Sequence, residues 1–149
     1  MKKIVSALVV LLALVVSALG IAASSGKTYK VSAKLTPGAD VPKPSGAANA
    51  KGSFLGKYVE NSTGAKLTWT LSFSGTTGAA MAAHIHMGKP GVSGPVIVPL
   101  CGPCTSGKSG SARISKAVIK ALEAGKAYVN VHTAKNPAGE IRGQVKVSG

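Results

Sequence analysis

From residue 28 onward the chain alternates apolar and polar positions in short runs, separated by turn-forming residues. Successive strand side chains point to opposite faces, so each alternating run predicts a half-buried β-strand. Residues 66–73 alternate most cleanly: Leu67, Trp69, Leu71 and Phe73 fall on one side, and Thr68, Thr70 and Ser72 on the other. Residues 28–35 set Tyr29, Val31 and Ala33 on one side. Further strands are predicted at residues 50–59, 80–87, 95–100, 127–132 and 140–147. Turns are predicted at 61–64 and 75–78, with loops at 37–48, 89–94 and 105–110, and a hairpin connection at 133–139. One helix is predicted near residues 116–124: Ser115 can cap it, Val118, Ala121 and Leu122 share a face, and Gly125 stops it. Seven or eight short strands with one short helix predict an all-β fold, an antiparallel and Greek-key-like sandwich or barrel.

The N-terminus follows a different pattern. Lys2 and Lys3 precede an apolar run over residues 4–23, broken only by Ser17 and Gly20, and small residues cluster at its end. A positive start, an apolar stretch and a small-residue exit are the parts of a secretory signal peptide, with cleavage expected near Ala22 to Ser24. The alternative is an uncleaved anchor, since about 20 apolar residues can just span a hydrocarbon core of ~30 Å. Either way, residues 24–149 form a single domain that is secreted, periplasmic or displayed at the cell surface.

Charge narrows the choice of partners. The chain of 149 residues carries a net charge of +14, with 18 basic and only 4 acidic side chains. Sixteen of the basic residues are lysines, which are solvated point charges rather than the planar forks that read phosphate geometry. Aromatic residues are few and do not interleave with a basic stripe, so nucleic acid is not an expected partner. The lysines read mainly as a solvated surface. A protein or an anionic cell-surface polymer remains as a partner, and membrane contact is expected only through an uncleaved N-terminal segment.

Candidate chemistry concentrates in one place. His84 and His86 are two apart on a predicted strand and therefore share a face. Tyr128, Asn130 and His132 share a face of another strand, and Glu140, Arg142 and Gln144 of the last. If these strands neighbour one another, His84, His86, Asn130, His132, Glu140 and Arg142 meet on one sheet surface. Three readings follow. The set can be a hydrogen-bonded network in which Glu140 pairs with Arg142, or a patch for a polar ligand. It can also be a zinc or copper site of His84, His86 and His132, provided the ring nitrogens converge to within about 4 Å. The Cys101-Gly102-Pro103-Cys104 pair reads as a structural disulfide, with metal ligation and thiol–disulfide exchange as alternatives. No serine–histidine–aspartate arrangement and no carboxylate pair is readable, so the domain is expected not to be an enzyme.

Several of these segments carry a family resemblance. Residues 35–42 (Leu-Thr-Pro-Gly-Ala-Asp-Val-Pro), 83–88 (Ala-His-Ile-His-Met-Gly), 94–98 (Gly-Pro-Val-Ile-Val) and 128–133 with 136–144 resemble the CHRD domain, the module first described in chordin and found in secreted microbial proteins. The resemblance spans residues 28–147. It implies a β-sandwich-like extracellular domain that serves in binding. A looser similarity is to copper/zinc superoxide dismutase, through the His-x-His strand near a glycine-rich loop. This chain lacks the further histidines and the aspartate that complete that site, so dismutase activity is not expected.

Overall fold

The computed structural model describes residues 26–149, and the expected signal peptide or anchor at residues 1–23 lies outside them. Nine strands form two antiparallel sheets. The strands are β1 (Thr28–Leu35), β2 (Lys51–Glu60), β3 (Gly64–Ser74), β4 (Ala80–Met87), β5 (Val96–Cys101), β6 (Lys108–Ser115), β7 (Ala127–Thr133), β8 (Ile141–Gln144) and β9 (Lys146–Ser148). One sheet has five strands in the order β6-β3-β2-β1-β9, and the other four in the order β5-β4-β7-β8. The all-β sandwich expected from the alternation is the observed architecture.

The core lies between the sheets, where each contributes its apolar face. The five-stranded sheet supplies Val31, Leu35, Phe54, Leu67 and Leu71, and the four-stranded sheet supplies Ile85, Val98, Val129, Val131 and Ile141. All are almost fully buried. Helix α1 (Lys116–Glu123) closes one end by packing on β3, β6 and β9. Ser115 caps it as expected, its hydroxyl accepting from the Val118 amide at 3.3 Å. Burial falls on Ile119, Ala121 and Leu122.

Two elements differ from the expectation. Residues 105–110 were expected to be loop, yet a strand begins at Lys108, and β6 pairs with β3 along eight residues. Its inward positions are Gly110, Ala112 and Ile114, and the first two are too small to mark an alternating apolar run. The packing explains the glycine: a Cβ on Gly110 would sit 2.5 Å from the Trp69 ring, so only a bare backbone can lie over that indole. The second difference is at the C-terminal end. The single strand expected at 140–147 breaks at Val145, so that β8 stays in the four-stranded sheet while β9 crosses to pair with β1.

Candidate functional site

The outer face of the four-stranded sheet carries the chemistry. β7 is its central strand here, paired with β4 on one side and β8 on the other. Register places His84 opposite Asn130, His86 opposite Tyr128, and Asn130 opposite Arg142. These alternate positions all point away from the core, as the period of two requires.

The three histidines converge. One ligating nitrogen from each of His84, His86 and His132 lies within 4.8 Å of the others. The Nε2 atoms of His86 and His132 are 3.4 Å apart. That pair satisfies the 4 Å condition. The complete set, spread over 4.8 Å, exceeds it, so His84 must move inward to join a shared ion. The two rings are fixed from behind. The Nδ1 of His86 is 2.9 Å from the Gly94 carbonyl, and the Nδ1 of His132 is 3.0 Å from the Pro137 carbonyl. A carbonyl only accepts, so each Nδ1 carries the proton and each Nε2 presents a lone pair. His84 completes the group, and its Nδ1 is buried without a partner among the described residues. Burial pushes the pKa of His132 down to about 4, aided by repulsion from His84 and His86 against the pull of the Pro137 carbonyl. Burial and then His86 lower the pKa of His84 as well.

A stack supports this group. Tyr128 lies against His86 with ring centroids 5.0 Å apart. The Arg142 guanidinium, from the strand on the other side of β7, sits 3.4 Å from the Tyr128 centroid. Arg142 Nη2 donates to the Lys89 and Val92 carbonyls at 2.8 and 2.9 Å, tying down the loop after β4. Gln144 Nε2 reaches the Gly88 and Gly125 carbonyls at 2.7 and 2.8 Å. The loop that carries the Gly94 carbonyl is thus anchored from β8.

Glu140 is placed elsewhere. It precedes β8, outside the strand alternation, and its carboxylate turns away from both the histidines and Arg142. It accepts from the Thr77 amide at 2.6 Å, from Asn136 Nδ2 at 2.9 Å, and from the Thr77 and Thr133 hydroxyls. Asn136 in turn accepts from the Ser45 amide at 2.8 Å. Burial by itself would raise the Glu140 pKa, but the four donors outweigh it and hold the carboxyl below its ordinary value. The Glu140–Arg142 pair considered from sequence therefore does not form.

Asp40 takes the place beside Arg142 that Glu140 leaves. Its side chain is buried, and Asn130 Nδ2 donates to its Oδ1 at 3.2 Å. Burial raises its pKa, against the opposing effects of the Val41 amide, Asn130, Arg142 and His86. Gly139, at φ +142, makes room for this contact: a Cβ there would lie 2.2 Å from the Asn130 amide and 2.3 Å from the Asp40 carboxylate. Asp40 was passed over because it sits in an irregular loop, with no periodicity to aim it. Its one signal was its place in the Asp-Val-Pro segment. Thr133 and Asn136 had the same kind of signal, as members of the 128–133 and 136–144 segments, and Thr77 had none.

Cys101 and Cys104 form a disulfide, with Cα atoms 5.4 Å apart. The Cys104 amide donates to the Ala80 carbonyl at 3.0 Å, so the bridge pins the end of β5 to the start of β4. A turn and then β6 follow, and no helix N-terminus among the described residues follows the pair to activate a thiolate.

Residues 31–145 match the family model of the CHRD domain, which covers most of the chain. Neither the curated proteins nor the solved structures contain a match to it. No helix among the described residues is long and apolar enough to cross a membrane.

Proposed function

The chain belongs to the CHRD domain family, a family of extracellular binding-type domains, and from that premise we propose that it is an exported, non-enzymatic binding module centred on a three-histidine metal site. His84, His86 and His132 are the ligands, and zinc or copper is the ion. One observation carries the reading: two Nε2 lone pairs face each other at 3.4 Å while both Nδ1 protons are committed to carbonyls. Two acceptors in that arrangement repel unless a cation lies between them. A proton on His132 is disfavoured, because burial pushes its pKa down to about 4. A metal ion resolves the conflict. Ligands on a tetrahedral zinc at ~2.05 Å are about 3.3–3.4 Å apart, the separation of this pair.

The carbonyl contacts match what metal-bound imidazoles need, since they fix the ring angle and the tautomer. The stack of His86, Tyr128 and Arg142 holds one ligand from the side. No carboxylate belongs to the set, so three nitrogens leave a fourth position for water or for a donor group of a partner. His84 and His132 are only half-buried, and that position is reachable from outside. The acidic residues that could act as a general base are occupied: Glu140 by its four donors and Asp40 by Asn130. This favours a role in holding a ligand over a role in turning one over.

The test is titration of tag-free, chelator-stripped protein with zinc and with copper by calorimetry. One equivalent is expected to bind. The His84→Ala/His132→Ala variant is expected to lose at least 100-fold in affinity, whereas Lys120→Ala binds as the parent does. A parent that binds neither ion, or a double variant that binds equally well, refutes the proposal.

A further inference from the structure

The five-stranded sheet has an outer face that the site does not use, and its side chains are unusually uniform. The outward positions follow from register and alternation. β1 shows Lys30, Ser32 and Lys34; β2 shows Lys51, Ser53, Leu55, Lys57 and Val59; β3 shows Lys66, Thr68, Thr70 and Ser72; β6 shows Ser109, Ser111 and Arg113; β9 shows Lys146 and Ser148. The face holds seven cations, a lawn of hydroxyls, and no carboxylate.

The cations are ordered. Lys30 lies directly opposite Lys57, and Lys66 directly opposite Arg113. Lys57 faces Thr68, which sets it diagonal to Lys66, and Lys146 faces Ser32, diagonal to Lys30. Lys146, Lys30, Lys57, Lys66 and Arg113 therefore form one slanting row that crosses all five strands, one cation per strand. At cross-strand spacings the row is roughly 20–25 Å long.

Such a row is unfavourable in isolation, because like charges directly opposite on neighbouring strands destabilise a sheet. The chain has the means to neutralise it and does not. Its four acidic residues are Asp40, Glu60, Glu123 and Glu140. Asp40 and Glu140 are buried in the other half of the molecule. Glu123 accepts from the Tyr58 hydroxyl at 2.8 Å, and Glu60 pairs with Lys116 at 2.6 Å. None faces the row.

We propose that this row is a docking surface for an anionic polysaccharide lying across the strands of the five-stranded sheet. The row matches a linear chain of repeated negative charge, and the flanking serines and threonines offer donors and acceptors to sugar hydroxyls. A shallow depression of about 430 Å³ lined by Lys30, Leu55, Lys57, Thr68, Thr70 and Ser109 seats part of the chain. A nucleic-acid strand fits poorly, because Phe54, Tyr58 and Trp69 all turn inward and leave no stacking platform. A membrane fits poorly as well, since only Leu55 and Val59 on this face are apolar and exposed.

The test is equilibrium binding of the purified protein to dextran sulfate, with neutral dextran and phosphatidylglycerol vesicles as parallel arms. Dextran sulfate is expected to bind, with affinity falling steeply as salt rises. The Lys57→Gln/Lys66→Gln variant is expected to lose at least 10-fold. Lys120→Gln/Lys126→Gln, with the same net charge but changes off this face, is expected to lose less than 2-fold. Equal losses in the two variants would show attraction to net charge alone and overturn the proposal. So would vesicle binding tighter than dextran sulfate binding, which would make the face a lipid surface. All four positions are exposed, and matching melting temperatures for the variants confirm that folding is not what changed.

Discussion

The outward faces of the two sheets differ in almost every physical respect. On the five-stranded sheet the outward side chains are mostly lysines and hydroxyls, exposed and bonded to little. On the four-stranded sheet they include His86, Asn130 and Arg142, all buried although they point away from the core. Loops make the difference. Residues 36–50, 88–95 and 134–140 fold over the four-stranded sheet and bring carbonyls and carboxylates to its polar side chains. Among the described residues, the five-stranded sheet receives no such cover. A polar side chain on a bare sheet stays solvated and contributes little to stability. Under a loop, the same side chain must be matched atom for atom, and it then fixes the loop in place.

The largest expected contrast is in stability. Glu140→Ala leaves the Thr77, Thr133 and Asn136 donors without their acceptor and is expected to cost about 4 kcal/mol in denaturant unfolding. Lys57→Ala, on the bare face, is expected to stay within about 0.5 kcal/mol of the parent. A cost for Glu140→Ala below that of ordinary surface changes would break the comparison. Next comes Arg142→Lys, expected to cost about 2 kcal/mol, because an ammonium cannot both reach two carbonyls and lie flat on Tyr128.

Acid should separate the two sheets in the same way. The Glu140 carboxyl is held below its ordinary value of 4.5 in the fold, so the stability it adds is present above that pH. It is lost as pH falls below 4.5 through the folded value. Asp40 has the opposite sign: its raised pKa means that protonation favours the fold as pH falls toward 3.8. Unfolding curves between pH 6 and pH 3 are expected to show a steeper loss for the parent than for Glu140→Gln. A parallel pair of curves would remove Glu140 from the account. The smallest effect has an unusual direction. Lys57→Thr relieves the Lys30–Lys57 repulsion and is expected to stabilise the sheet by about 0.5 kcal/mol, measured by the shift in urea midpoint. A destabilisation would mean that the row is not under electrostatic strain.

The same contrast explains what could be read from the chain. Sheet faces follow from period-two alternation, so the placement of Leu67, Trp69 and Leu71 and the shared face of His84 and His86 were legible. The partners of those side chains were not. The Gly94 and Pro137 carbonyls are backbone atoms of loops, and Asp40 reaches Asn130 across 90 residues of sequence. Glu140 misled because alternation was extended one residue past the true start of β8. The β6 strand stayed hidden because its inward side is defined by the fit of Gly110 to Trp69, which no local pattern encodes. The lysine row was invisible for a similar reason. Its members come from five separate segments and align only through strand register.

The account rests most heavily on the facing Nε2 atoms of His86 and His132. Their direct test is long-range ¹H–¹⁵N NMR of the histidine rings, recorded before and after one equivalent of zinc at neutral pH. The prediction is that Nδ1 of His86 and His132 stays protonated throughout, while both Nε2 resonances move together from free to metal-bound shifts at one equivalent. Rings that keep unchanged Nε2 shifts at saturating zinc, or that carry their proton on Nε2 before it is added, would contradict it.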